Sequence, residues 1–134
     1  MRVRVVSKFL HHVGGVETYV SWLAGSLVDE GHNVAVLGMQ PPTAETLMTF
    51  PPGVALYTTP HRSYEPGARH RTSSALASVY SPAVANVFSR GVRDFKPDIV
   101  HFHCTGYQRT PSVFHAARKA GLPSVLTAHE YKLV

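Results

Sequence analysis

Short apolar runs alternate along this chain with segments whose apolar residues recur at helical spacing, and no other feature limits the possible folds as much. The runs predict five strands, at residues 2–6, 34–37, 54–57, 99–102 and 123–128. The helical segments are 16–31, which Gly31 is expected to stop, 74–94, where Pro82 marks a start or a kink, and 110–121. The resulting order, β-α-β-β-α-β-α-β, with apolar strands throughout, predicts an α/β fold: an open, mostly parallel sheet covered by helices on both faces.

Length and composition indicate a single domain. The chain has 134 residues, of which 44% are hydrophobic and 16% charged, proportions typical of a globular chain that buries its own core. Its one cysteine, Cys104, excludes an internal disulfide and fits a reducing, cytoplasmic setting. No apolar run approaches the roughly 20 residues of a membrane helix. Residues 1–8 do not develop the apolar region of a signal peptide, so we expect the first strand there instead.

Three segments follow predicted strands at the carboxyl edge of the sheet, where open α/β sheets bind ligands. They are residues 7–17, 103–109 and 129–133. In the first, Gly14 and Gly15 allow a tight turn and a close approach of a ligand, while the helix N-terminus that follows suits phosphate or sugar oxygens. Glu17 lies in the first helical turn. The alternative is a tight turn that binds nothing.

The glycine pair does not match either common nucleotide-binding motif. The dinucleotide fingerprint requires a third glycine and an acidic residue at the end of the second strand, where this chain has Gly38 and Met39. A Walker A loop requires a Gly-Lys-Ser/Thr sequence that does not follow here. These differences argue against another Rossmann-type enzyme, such as a dehydrogenase.

Histidines lie at the ends of two predicted strands. His101 and His103 share a face of the fourth strand, and Cys104 beside them suggests a metal site, but no second ligand cluster follows, so we predict none. Hydrogen bonding at a strand end is the simpler interpretation of His101. His129 closes the fifth strand and is expected to hydrogen-bond a sugar hydroxyl or stabilise developing charge, the alternative being a packed histidine.

The positive charge of the chain favours anionic partners. Lysine and arginine number 13 against 8 acidic residues, a formal charge of +5, which suits phosphates, nucleotides or acidic lipids. The densest positive stretch is residues 61–71, either a contact with an anionic acceptor or membrane surface or simply a solvated loop. No nucleic-acid-binding motif is present, so we expect no nucleic acid partner.

Three groups of residues, in order along the chain, together resemble a known family. They read GGVETYV at 14–20 with GHNV at 31–34, PDIVHFH at 97–103, and GLPSV at 121–125 with TAHEYK at 127–132. The combination resembles the Rossmann-like, N-terminal, acceptor-side domain of the family-four glycosyltransferases with the GT-B fold. The resemblance covers nearly the whole chain.

The resemblance implies a retaining transferase that moves a sugar from a nucleotide-diphosphate sugar to a glycan, lipid-linked or small-molecule acceptor, without a further cofactor. It implies that His129 contacts the transferred sugar as the catalytic residue. The implied substrate-binding residues are Gly14, Gly15, Glu17, His103 and Glu130. Family members often carry aspartate at the position of Glu130, which changes the reach of the side chain but not its charge.

In that family a second, C-terminal domain carries the donor-nucleotide site and a characteristic glutamate pair. We therefore expect residues 1–134 to form one N-terminal domain that stops short of the family's full sheet. Such a domain is expected to be inactive alone, to need the second domain or a partner chain, and to self-associate through its uncovered edge. The expected location is the cytoplasm, with peripheral contact at the inner face of the membrane. The alternative is a stand-alone, non-catalytic module that binds a sugar or phosphate.

Overall fold

The computed structural model describes residues 1–11, 14–42, 46–60, 81–103 and 112–129. These residues form five strands and three helices in the predicted order. The elements are β1 (Arg2–Phe9), α1 (Gly15–Asp29), β2 (Asn33–Met39), β3 (Ala55–Thr59), α2 (Pro82–Phe95), β4 (Ile99–His103), α3 (Ser112–Lys119) and β5 (Ser124–Thr127).

The five strands form one parallel sheet in the order β3-β2-β1-β4-β5. The central strand β1 pairs Val5 with Val36 of β2 on one side and with His101 of β4 on the other. The chain first builds outward from β1 to β3 and then returns to the other side of β1. The carboxyl ends of β1 and β4 therefore flank the point where the strand order reverses, which is where open sheets leave a binding crevice.

Helices cover both faces of this sheet, as predicted. On one face Val3 and Val5 of β1 pack with Val20 and Ala24 of α1. On the other face the alternate residues of the central strands meet α2 and α3 in a cluster that includes Val6, Phe88, Phe102 and Val113. The alternation arises because successive side chains of a strand point to opposite faces.

Local signals fix the ends of the helices. Gly31, expected to stop the first helix, follows the end of α1 with φ of +79°, a left-handed conformation that glycine adopts without strain. At the start of α2 the hydroxyl of Ser81 accepts a hydrogen bond from the backbone N–H of Val84, and Pro82 occupies the first turn. Pro82, expected to mark a start or a kink within the helical segment 74–94, is where α2 begins. Residues 74–80 lie outside the described part of the chain.

The first strand is longer than the apolar run that predicted it. A loop was expected from residue 7, but β1 continues to Phe9, which pairs with Met39 after a shift in register beyond Val6. Ser7 is buried within this extension. Backbone pairing with β2 therefore carries the strand past the point where polar side chains interrupt its apolar pattern, whereas the pairing with β4 ends at Val6.

A buried arginine interrupts the α2 face of β1. Arg4 is fully buried, donates from Nη1 to the carbonyl of Phe88 at 3.0 Å, and lies against the rings of Tyr57 and Phe88. Gly91 of α2 leaves room for the guanidinium group, which a Cβ atom there would contact. Burial lowers the pKa of Arg4 to about 10, yet its Nε and Nη2 atoms have no hydrogen-bond partner.

Candidate functional site

Two of the predicted site histidines meet at the carboxyl edge of the sheet. His103 ends β4, and its strand partner is Thr127, the last residue of β5. This register brings His129, two residues beyond β5, beside His103, with 3.0 Å between His103 Nδ1 and His129 Nε2. His103 is fully buried, whereas His129 is only partly buried.

His101 shares the face of His103, and their ring centroids are 4.0 Å apart. Its Nε2 atom lies 2.7 Å from the hydroxyl of Thr127. This histidine is therefore hydrogen-bonded within the sheet, as its position at the strand end suggested. The bond also ties β4 to β5 at the edge that carries the site.

Burial keeps His101 and His103 neutral. Desolvation, followed by the neighbouring His101 and His129 rings, lowers the pKa of His103 to about 3. Desolvation, followed by His129, also lowers the pKa of His101. A neutral imidazole has one donor and one acceptor nitrogen, so one ring of the His103–His129 pair donates and the other accepts. The second ring nitrogen of His103, Nε2, is buried without a hydrogen-bond partner.

Tyr19 covers the histidine pair from the first turns of α1. Its ring centroid lies 5.6 Å from that of His103 and 5.5 Å from that of His129. By its helical spacing in the sequence, Tyr19 was expected only to contribute to the apolar face of the helix. In the structure, 37% of the residue is exposed. The sequence feature that could have identified Tyr19 as a site residue is its large amphipathic ring, placed within two turns of a helix start at the carboxyl edge of the sheet.

Gly14 and Gly15 stand at the start of α1, with Gly14 as the capping residue. Neither glycine has a positive φ, and a Cβ atom at either position would meet nothing closer than 3.9 Å. The fold itself therefore has room for a side chain at both positions. Glycine at these two positions would instead allow a ligand to approach the backbone closely.

Glu17 caps its own helix. Its carboxylate accepts a hydrogen bond from the backbone N–H of Gly14 at 3.0 Å, and the residue is buried. The bond satisfies one of the donors that a helix N-terminus leaves unpaired. The predicted contact of Glu17 with substrate stays a prediction, as does that of Glu130, which lies outside the described residues.

The described residues contain no group of three His, Cys, Asp or Glu side chains arranged to hold a metal ion. Cys104, part of the metal hypothesis, lies outside them. What the site offers is hydrogen bonding: the partly buried imidazole of His129 is backed by the buried imidazole of His103, and the first turns of α1 lie alongside. Such a group can donate to or accept from a hydroxyl.

None of the helices in the described part of the chain combines the length and apolar character needed to span a bilayer. The basic segment at 61–71 lies outside the described residues.

Similar folds occur among solved structures. The apo UGT2 of Phytolacca americana has a TM-score of 0.63 at 19% identity, with 96% of this chain and 29% of UGT2 covered. CalG4, the calicheamicin glycosyltransferase, has a TM-score of 0.52 at 16% identity, covering 95% of this chain and 32% of CalG4. The C-terminal domain of the PF1911 hydrogenase from Pyrococcus furiosus has a TM-score of 0.59 at 14% identity, covering 93% and 89%. These identities show a shared fold and no more.

No curated protein matches the sequence of the chain. A family model for the glycosyl transferase 4-like domain, however, matches residues 14–134, nearly the whole chain. The match includes the glycine loop, the β4 histidines and His129. The open parallel sheet agrees with the fold of the N-terminal half of a GT-B glycosyltransferase. The chain therefore belongs to the glycosyl transferase 4-like domain family, as an N-terminal GT-B domain.

Proposed function

We propose that this chain is the acceptor-side half of a retaining hexosyltransferase, which moves a sugar from a nucleotide-diphosphate donor to a glycan, lipid-linked or small-molecule acceptor. The observation that carries the proposal is the His103–His129 pair beneath Tyr19, at the point where the strand order reverses. In a glycosyltransferase-family chain, neutral imidazoles at this edge suit sugar hydroxyls.

In this proposal His129 contacts the transferred sugar, and His103 positions the His129 ring. The Nε2 atom of His129 is engaged by His103, which leaves its Nδ1 atom for a hydroxyl of the ligand. His103 is held in the sheet by burial and by the β4–β5 register. A buried partner that fixes a ring in one orientation lowers the cost of organising the site for reaction.

The start of α1 binds the donor diphosphate or the acceptor in the same proposal. Gly14 and Gly15 leave their backbone without side chains, although the fold has room for a side chain at both positions. The N-terminal N–H groups of a 15-residue helix favour negative or electron-rich oxygens. Glu17, which already accepts from Gly14, holds this loop in place and contributes to the substrate site through it, and Glu130 is a further proposed contact of the substrate.

The donor nucleotide is bound by a second domain or a partner chain, and no cofactor is involved beyond the donor sugar. The chain spans 29% of UGT2 and 32% of CalG4, so the complete activity of such enzymes requires more than these residues. The exposed edge strand β5 supports a partner there: Val125 and Leu126 are 48% and 43% exposed. Self-association through this edge follows from the same observation.

We extend the proposal to a cytoplasmic protein that contacts the anionic inner face of a membrane. A groove of about 430 Å³ between α2 and α3 is lined in part by Arg93, His115 and Lys119, a basic surface that suits lipid phosphates. Sedimentation with phosphatidylserine vesicles, but not with phosphatidylcholine vesicles, is expected. Loss of that difference in Arg93→Glu would place the contact in this groove, and equal sedimentation with both would contradict it.

Calorimetric titration tests the main proposal. The chain is titrated with nucleotide diphosphates, nucleotide sugars and simple glycosides, alone and after addition of the candidate second domain. Donor binding and sugar transfer that appear only with the second domain would support the proposal. Tight nucleotide binding by this chain alone would contradict it, and glycoside binding without transfer in either case would favour a non-catalytic binding module.

A further inference from the structure

An exposed tryptophan lies next to the histidine site on α1. Trp22, the only tryptophan of the chain, is 65% exposed. Its ring centroid is 6.1 Å from that of Tyr19, which in turn lies 5.5 Å from His129. Residues 19 and 22 are three apart, so they are neighbours on one helical face. The rings form a continuous path that leads from the proposed reaction site along the outside of the helix.

The path enters a groove between α1 and the segment before β3. The groove measures about 580 Å³, and its walls include Thr18, Trp22, Phe50, Pro51 and Pro52. It is a built feature: the hydroxyl of Ser21 donates to the carbonyl of Thr49 at 3.3 Å, and Phe50 packs against the buried cluster beneath α1. Among the residues that the structure describes, none that lines the groove is charged.

These surfaces suit an apolar chain more than a sugar or a phosphate. An indole ring and two proline rings present C–H and π surface with few hydrogen-bond partners, and a groove without cations gives an anion nothing to pair with. Apolar area exposed in this way is stabilised when a ligand removes it from water. The groove is open to solvent, and its apolar walls together with the ring path from His129 favour a chain that extends away from the reacting sugar.

We propose that this groove holds an aliphatic chain, alkyl or prenyl, belonging to the acceptor. The inference rests on the proposed function, because the chain would extend from a sugar at His129, past Tyr19, to Trp22. It narrows the acceptor class to glycolipids or lipid-linked glycans. The two ring-to-ring steps of 5.5 and 6.1 Å set the path that the chain must follow from the reacting sugar.

Trp22 itself reports on occupancy of the groove, because no other tryptophan contributes to the emission of the chain. The 134-residue chain is titrated with decyl β-glucoside below its critical micelle concentration, with phenyl β-glucoside and with methyl β-glucoside. A saturable blue shift with the decyl compound alone is expected. An equal shift with the phenyl compound would overturn the extended-chain assignment, and no shift with the decyl compound would overturn the proposal.

Two variants place the binding in the groove. Pro52→Asp puts a charge on its wall, and Pro60→Asp is the matched control at an exposed proline outside it. We expect decyl glucoside to bind about tenfold more weakly to Pro52→Asp, since a charge disfavours an apolar ligand, and unchanged to Pro60→Asp. Thr18→Asp, which adds an acidic residue tolerated at a helix start, is expected to act like Pro52→Asp. Equal binding of decyl glucoside to all three variants would overturn the assignment of the ligand to this groove.

The outcomes separate this inference from the proposed function. Sugar transfer by the completed enzyme without a fluorescence response to decyl glucoside would leave the function standing and remove the groove assignment. The opposite result is also distinguishable. If the completed enzyme with His129 intact transfers no sugar, while decyl glucoside still shifts the Trp22 fluorescence of the His129→Ala variant, the groove would stand as an apolar-chain site and the proposed function would be contradicted.

Discussion

The Nδ1 atom of His103 lies 3.0 Å from the Nε2 atom of His129, although 26 residues separate them in sequence. The contact exists because β4 and β5 are parallel neighbours whose ends coincide. It joins a fully buried ring to one that a ligand can reach. In the proposed function, the inner ring holds the outer ring in one orientation for a hydrogen bond to the sugar.

Replacement of His129 by alanine is expected to lower the kcat of the enzyme completed by its second domain by about 10²-fold or more, since a positioned polar group is lost at the reacting sugar. His32→Ala is the control, because His32 lies between α1 and β2, at the edge of the sheet opposite the site. Steady-state transfer rates measure both. Comparable losses in the two variants would argue against a role for His129.

The stability of the fold is expected to decrease as pH falls. Burial holds the pKa of His103 at about 3 and lowers that of His101, whereas an unfolded histidine titrates near 6.5. Between about pH 6.5 and 3 the unfolded chain binds a proton at His103 that the folded chain does not bind, so the free energy of unfolding falls by up to about 1.4 kcal/mol per pH unit. His101 changes the stability in the same direction.

Urea denaturation at several pH values measures this slope. His103→Gln removes one of the titrating groups and is expected to flatten the slope, while His115→Gln, which changes an exposed histidine, leaves it unchanged. A slope unaffected by His103→Gln would mean that this ring is not held neutral by the fold.

Gly38 of β2 is expected to tolerate no side chain. A Cβ atom there would overlap the buried side chain of Leu10, so Gly38→Ala should destabilise the fold by about 1–3 kcal/mol through overpacking. Gly25→Ala is the control with the opposite expected sign: its Cβ would meet Pro51 at an ordinary 3.5 Å, and alanine favours a helix interior by about 0.5–1 kcal/mol. Thermal melts of both variants test the difference.

Arg4 is expected to be replaceable by an apolar residue of similar length. Its buried Nε and Nη2 atoms have no hydrogen-bond partner, so Arg4→Met removes an unsatisfied cation while filling most of its space. The free energy of unfolding should be unchanged or higher, whereas Arg4→Ala should cost about 2–4 kcal/mol through the cavity that it leaves. If methionine proved as costly as alanine, the guanidinium would be a net stabilising group.

Glu17→Ala is expected to lower the free energy of unfolding by about 1 kcal/mol, because the N–H of Gly14 loses its hydrogen bond. Glu17→Gln keeps an acceptor oxygen and should lose less stability. Glycoside binding measured on the same two variants separates a cap from a ligand contact. Weakened binding in a fully stable Glu17→Gln would show that the carboxylate also meets the substrate.

The sequence by itself determined the architecture. Apolar runs of strand length, helical spacing between them and Gly31 after α1 predicted the element order and the parallel sheet, because these signals are local to each segment. The rule that parallel strands share a carboxyl edge then predicted that the segments holding Gly14, His103 and His129 meet. The family resemblance carried by those same segments is confirmed.

Only the tertiary structure decided how those residues interact. The extension of β1 to Phe9 depends on pairing with β2, and the capping role of Glu17 depends on how the loop enters α1. The contact between His103 and His129, the low pKa of His103 and the path from Tyr19 to Trp22 depend on strand register and on where α1 crosses the sheet. These relations join residues distant in sequence, and packing of the whole sheet sets them, so no local pattern of residues contains them.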